Sequence, residues 1–114
     1  MNYLGGLSIA FAIVLSATGD AVADGVTVKG MQSCGAWVKD RAEQPAPSLS
    51  AIANSAWLAG YLSGVAVARN IDFLKGVDDN TVRLWTDNDC SRHSSDLMGD
   101  AADALSVELK NRMH

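Results

Sequence analysis

The longest uncharged stretch of the chain covers residues 44–68 and dominates its hydropathy pattern. Ser48 is suited to cap a helix here, and the apolar residues that follow are distributed around all sides of that helix. The pattern predicts a helix over residues 48–68 that is buried on nearly every side. Trp57 and Tyr61 lie one turn apart on it and are predicted to be core aromatics.

One side of this helix carries small residues at every fourth position, namely Ala56, Gly60, Gly64 and Ala68. In a membrane span, a Gly-x-x-x-Gly pattern is typical of a dimerising helix. In a soluble domain, the same stripe lets a neighbouring helix approach the backbone closely. Asn54 and four serines make the run too polar for a typical span, so we predict a helix-packing face in a soluble domain.

A shorter helix is predicted over residues 31–42, and prolines at positions 45 and 47 separate it from the long one. Cys34, Trp37 and Val38 share its inward side, and Trp37 is predicted to be a further core aromatic. A third helix follows the long one, because Asp78, Asp79 or Asn80 is suited to cap it. Its buried side is predicted to consist of Val82, Leu84, Trp85 and Cys90.

A fourth helix is predicted over residues 96–112. Hydrophobic residues recur there at a spacing of four, at Leu97, Ala101, Leu105 and Leu109. No strand-like alternation competes with these helical patterns. The sequence therefore predicts an all-α fold, a compact four-helix domain with Trp85 as the core aromatic of its third helix.

The beginning of the chain predicts a secretory leader. An apolar segment covers residues 7–17, and the small residues Ala21 and Ala23 stand at the positions that a signal peptidase reads. We therefore predict a signal peptide over residues 1–23 and a single domain over residues 24–114 that is exported to the periplasm. The alternative, an uncleaved N-terminal anchor, requires about 20 apolar residues, more than this segment has.

Cys34 and Cys90 are the only cysteines, and both belong to the predicted exported part. Disulfides form and persist outside the cytoplasm, so we predict a bond between them, with two free buried thiols as the alternative. The bond would close a loop of 90 − 34 = 56 residues. A membrane span over residues 48–68 would put the two cysteines on opposite sides of the membrane, so a disulfide argues against a span.

The charge pattern indicates which classes of binding partner are disfavoured. Residues 24–114 carry 9 basic and 12 acidic residues, a net charge of 9 − 12 = −3. Because no stripe of Lys or Arg is present, the sequence argues against nucleic acid or an anionic membrane as a partner. In strong acid, protonation of the carboxylates and both histidines changes the net charge to about +11, and self-repulsion then loosens the fold and its interfaces.

The segment DNDCSRHSSD gathers Asp87, Asp89, Cys90 and His93 within a few positions. Catalytic groups must converge in space, and neighbours in one short turn rarely do so. A disulfide-bonded Cys90 cannot act as a nucleophile, and Cys90 with His93 lacks a second pair of metal ligands. We predict no catalytic residue, no metal site and no cofactor, which leaves a binding, structural or small-molecule-binding role open.

Four segments in this order resemble the HdeA family of small periplasmic acid-stress chaperones: SCGAWV, LAGYLSGVA, VRLWTDNDC and DLMGDAADALSVELKNRM. The resemblance covers about residues 28–113 and implies an all-α fold with one disulfide, onto which Cys34 and Cys90 map. It also implies a homodimer at neutral pH that exposes apolar surface in acid and binds unfolding client proteins.

A looser resemblance leads to a different class of function. Immunity proteins of the Tai and Rap type protect the periplasm against type VI secreted amidases and carry similar GY-x-x-G segments. In this chain the segment is formed by residues 60–64. The resemblance implies an inhibitor that binds one toxin through a rigid complementary surface.

Overall fold

The computed structural model describes residues 25–113 and the backbone of residues 20–23. Two short antiparallel strands, β1 (Asp20–Ala23) and β2 (Val26–Lys29), form a hairpin. Four helices follow: α1 (Cys34–Ala42), α2 (Leu49–Arg69), α3 (Asp79–Arg92) and α4 (Met98–Asn111). The prediction of a compact all-α four-helix domain is confirmed. The predicted leader, except for its last four residues, lies outside the described residues.

Hydrogen bonds accepted by side chains define where three of the helices begin. Ser33, Ser48 and Asp78 cap α1, α2 and α3, and each side chain accepts a hydrogen bond from the backbone N–H three residues later. The α2 helix ends at Asn70, whose φ of 53° is left-handed and stops the helical repeat. The cap of α3 is thus Asp78, one of three residues that the sequence offered.

The hairpin corrects the expectation that the chain contains no strands. Asp20 pairs with Lys29 and Ala23 with Val26, so the first strand lies inside the predicted leader. Asp24 and Gly25 lie between the two strands in the sequence. Gly25 has a φ of 80°, which glycine adopts without strain. Asp-Gly is a strong hairpin signal in a sequence. It was not interpreted as one here, because it directly follows the predicted cleavage site.

The predicted disulfide is confirmed and joins the start of α1 to the last turns of α3. Cys34 and Cys90 are both fully buried, and their Cα atoms are 4.8 Å apart. The start of α1 is also tied to the connector between α3 and α4, because the N–H of Cys34 donates to the carbonyl of Asp96 over 2.8 Å. These links place α1, α3 and α4 together on one side of α2.

The core lies where that side of α2 meets the other three helices. Trp37 is fully buried within it, whereas Trp57, Tyr61 and Trp85 are partly buried and pack against its edge. Leu84, predicted to be buried, is 55% exposed because it lies across α3 from the core residues of that helix. The core residues are Cys34, Trp37, Leu58, Leu62, Phe73, Val82, Cys90, Met98, Ala101, Ala102, Leu105 and Leu109.

The prediction that α2 is buried on nearly every side is wrong. Only Ala51, Asn54, Leu58 and Leu62 are buried, and these residues form a single stripe along the helix. The other described helices all lie on that side, so they leave the opposite side of this 21-residue helix uncovered. Uniform hydropathy around a helix cannot specify which side its neighbours occupy.

Candidate protein-binding surface

The uncovered side of α2 is lined by exposed residues that carry no charge. Leu49, Ile52 and Val67 are 86%, 51% and 81% exposed, which is unusual for large aliphatic side chains. Small residues and a serine lie between them. We call this surface the α2 face, and it consists of Leu49, Ile52, Ala53, Ala56, Ala59, Gly60, Ser63, Gly64, Val67 and Ala68.

The predicted helix-packing stripe lies on this face and is not packed. Ala56, Gly60, Gly64 and Ala68 are all exposed. A Cβ atom added to Gly60 or Gly64 would meet no other atom within 4 Å, so no helix of the described chain approaches them. The helix-packing prediction is therefore wrong within one chain, because the neighbouring helices lie on the other side of α2. The glycines instead leave the middle of the α2 face flat.

Replacing Gly60 with alanine is expected to raise the free energy of unfolding by about 1 kcal/mol, because alanine favours a helix and the added methyl group has open space. Urea unfolding of the two proteins measures the difference. Gly99→Ala is the matched control: an added Cβ would require the sulfur of Met31 to move, so this change should gain less stability than Gly60→Ala. A destabilising Gly60→Ala would contradict the open face.

Behind the α2 face, polar contacts with aspartates connect the helices in pairs. Asp87 of α3 accepts hydrogen bonds from Trp37 and Arg41 of α1. The indole nitrogen of Trp37 is 2.7 Å from Oδ1, and the Arg41 guanidinium contacts both carboxylate oxygens at 2.8 and 2.7 Å. This bidentate pairing raises the pKa of Arg41. Arg41 also lies over the Trp37 ring, 5.8 Å from its centre.

Two further aspartates connect α2 to its neighbours. The side chain of Asn54 in α2 donates to Asp40 of α1 over 2.8 Å, and the hydroxyl of Ser48 donates to the Asp40 carbonyl. On the other flank, the hydroxyl of Tyr61 donates to Asp103 of α4 over 3.0 Å. Asp40, Asp87 and Asp103 are referred to below as the junction aspartates, because each one links two helices.

Burial raises the pKa of Tyr61 to about 12, and the charge and hydrogen bond of Asp103 add to this effect. An unfolded tyrosine ionises near pH ~10, so its stabilising contribution is complete below that pH and is lost as the pH rises toward 12. Tyr61 is the only tyrosine in residues 24–114, so tyrosinate absorbance of that part should show a midpoint near 12.

Asp103→Asn provides the control for this titration. The midpoint should fall, because the negative charge is gone, yet stay above the ordinary value, because burial is the largest cause of the shift. A midpoint at the ordinary tyrosine value in the unmodified protein would contradict the contact between Tyr61 and Asp103.

A concave cavity opens beside the α2 face, between α2 and the start of α3. It has a volume of about 230 Å³, and its apolar lining includes Leu58, Leu62 and Val82, which belong to the core. Asp79 and Arg83 of α3 also line the slot, and their side chains are the charged groups among the lining residues. We call this feature the slot.

The segment that gathered reactive residue types holds no converging catalytic set. Cys90 is in the disulfide, and Asp87 is engaged by Arg41 and Trp37. The Nδ1 atom of His93 is 3.3 Å from Oδ1 of Asp89, one turn earlier on α3, and the His93 side chain is more than half exposed. Within the described part of the chain, no group of three or more His, Cys, Asp or Glu side chains is placed to hold a metal ion.

By length and composition alone, α2 is the one described helix that is long and apolar enough to cross a membrane. Its buried stripe, however, packs on helices that the disulfide holds together. Comparisons of the chain with protein-family models, with curated proteins and with solved structures find no match. The α2 face, the slot and the junction aspartates are the features of the described chain that bear on binding.

Proposed function

We propose that the protein is a non-enzymatic, exported protein-binding domain of the HdeA-like, acid-stress chaperone type, which binds partly unfolded proteins on the α2 face. The observation that carries the proposal is the exposure of this face, where ten neighbouring residues carry no charge. A continuous exposed surface without charged groups is typical of a site for another protein. The flat middle at Gly60 and Gly64 lets a bound chain approach the α2 backbone closely.

Asp78, the cap of α3, supplies a reason for activity in acid. Its carboxylate accepts a hydrogen bond from the backbone of Thr81, and this contact lowers its pKa. A lowered pKa stabilises the folded state at neutral pH, and this contribution is lost as the pH falls through the folded value. The positive net charge that the domain acquires in strong acid adds self-repulsion between its elements.

The disulfide limits how far acid can open the domain. It is fully buried and holds α1 against α3 whether or not carboxylates are protonated. We infer that acid loosens α2 and α4 on this tethered pair and thereby adds apolar core surface to the α2 face. The disulfide is also consistent with the periplasm as the place of action, as the predicted leader implies.

The test is light scattering of an acid-sensitive client protein at pH ~2 and pH ~7, with and without the oxidised protein. Suppression of aggregation in acid is the expected result. Ala56→Lys places a charge that persists in acid at the centre of the α2 face and should reduce suppression severalfold. Ala104→Lys adds the same charge at an exposed position of α4 and should leave suppression unchanged.

Two results would contradict this proposal. No suppression at several-fold molar excess would exclude the chaperone activity. Equal suppression by Ala56→Lys and the unmodified protein would remove the α2 face as the client site. Intact mass of the protein recovered from the periplasm tests the location at the same time, because cleavage after Ala23 leaves Asp24 as the first residue.

The second candidate function is an immunity protein that inhibits a type VI secretion effector in the periplasm. The slot favours it, because a concave feature beside a flat apolar face provides the shape needed to select one folded partner. Such an inhibitor should bind at neutral pH, where the fold is intact. Copurification with the product of an adjacent toxin gene at pH ~7 distinguishes it from the chaperone, which should be active in acid.

A further inference from the structure

We propose that the slot receives one large apolar side chain, a phenylalanine or leucine, from an amphipathic helix that lies along the α2 face. This inference rests on the proposed function, because it describes how a bound protein is recognised. It specifies the chemistry of the partner segment: a helix with one bulky apolar residue in a stripe of small ones, and with opposite charges one turn apart beside that residue.

The size and lining of the slot support a single side chain as occupant. A cavity of about 150 Å³ lined by aliphatic residues holds a benzene molecule, so the 230 Å³ here is enough for one phenylalanine or leucine. The accessible apolar lining comes from partly buried residues such as Leu74 and Val77, while Leu58 and Leu62 lie behind it and are fully buried. A side chain in the slot would therefore pack against the outer layer of the core.

The charges of the slot determine the polarity of the partner. Asp79 and Arg83 are one turn apart on α3, whereas the α2 side contributes Ser55 and Ser63, which are uncharged. A partner helix that lies beside α3 meets a negative group at one end of the slot and a positive group one turn later. Lysine and glutamate at positions i and i+4 match this pair in one of the two orders and clash in the other.

The slot is also continuous with the α2 face. Ala56, Ala59 and Ser63 line the slot and belong to the face as well. A helix seated on the small residues of the face can thus place one side chain into the slot without bending. This is helix-in-groove recognition, in which a few apolar anchors supply most of the binding energy.

The experiment uses a fluorescent 18-residue amphipathic peptide with an alanine stripe, one central phenylalanine, and lysine and glutamate four residues apart. A second peptide has alanine in place of phenylalanine, and a third has the two charges exchanged. Fluorescence anisotropy at pH ~7 measures binding to the oxidised full chain. We expect the phenylalanine peptide to bind at least about tenfold more tightly than the alanine peptide.

Two variants of the protein locate the effect. Ala59→Leu fills the slot from an exposed position and should remove the preference for phenylalanine, whereas Ala53→Leu, on the α2 face but outside the slot, should keep it. The double exchange Asp79→Arg with Arg83→Asp should invert the preference between the two charge orders. Circular dichroism of each variant confirms that the helices are retained.

Equal binding of the phenylalanine and alanine peptides, or an unchanged preference in Ala59→Leu, would overturn the inference. The client assay in acid separates this outcome from failure of the proposed function. If client aggregation is still suppressed, the slot fails alone and the α2 face remains the binding site. If suppression is absent while the peptides are distinguished, the slot binds a helix and the chaperone activity fails.

Discussion

Replacing both Cys34 and Cys90 with alanine is expected to lower the free energy of unfolding by about 4 kcal/mol. The disulfide closes a loop of 56 residues, and without it the unfolded chain gains the conformational freedom of that loop. A domain of this size has roughly 5–15 kcal/mol of stability in total, so the loss is a large part of it. Urea unfolding at neutral pH, followed by circular dichroism, measures the difference.

The reduced form of the unmodified protein is the control for this experiment. It lacks the bond but keeps both sulfur atoms in the core, so it separates the effect of the cross-link from that of the cavity left by alanine. Both proteins should lose a similar amount of stability, with the alanine variant slightly lower. A difference below about 1 kcal/mol between oxidised and reduced protein would show that the cross-link contributes little.

Replacing Asp87 with alanine is expected to lower the free energy of unfolding by about 2 kcal/mol. The change removes the acceptor of the Trp37 indole N–H, which belongs to a fully buried side chain, and leaves Arg41 without its bidentate partner. An unsatisfied buried donor accounts for most of the cost, because the ion pair is about one third exposed and screened by water. Urea unfolding again provides the measurement.

Asp87→Asn is the matched variant, since its amide oxygen still accepts from Trp37 while the charge is absent. It should lose about half as much stability as Asp87→Ala. Equal losses in the two variants would mean that the charge, rather than the buried hydrogen bond, holds α1 against α3.

The two variants also constrain the proposed function. A chaperone activated by acid should become partly active at higher pH when a junction between helices is weakened at neutral pH. Asp87→Asn is therefore the variant in which to look for client binding at neutral pH. An immunity protein should instead lose affinity for its toxin in the same variant, since its surface must stay rigid.

Sequence alone determined the helical content of this protein, and the reasons are local. Ser48 and Asp78 cap helices through their own side chains, prolines at positions 45 and 47 exclude helix between α1 and α2, and the apolar spacing of α4 allows one inward side. The pairing of Cys34 with Cys90 also followed, because no other cysteine competes. The helix caps and breaks depend on residues close in sequence, and the disulfide follows because two cysteines can pair in only one way.

The binding surface was decided only by the tertiary structure. A helix that is apolar on every side gives no periodic signal of which side is buried. The pattern therefore did not show that the side with Leu62 is buried and the side with Gly64 is exposed. The junction of Asp87 with Trp37 and Arg41 joins residues about 50 positions apart and carries no local signal. The disulfide and these junctions gather three helices on one side of α2, and the side they leave uncovered is the α2 face.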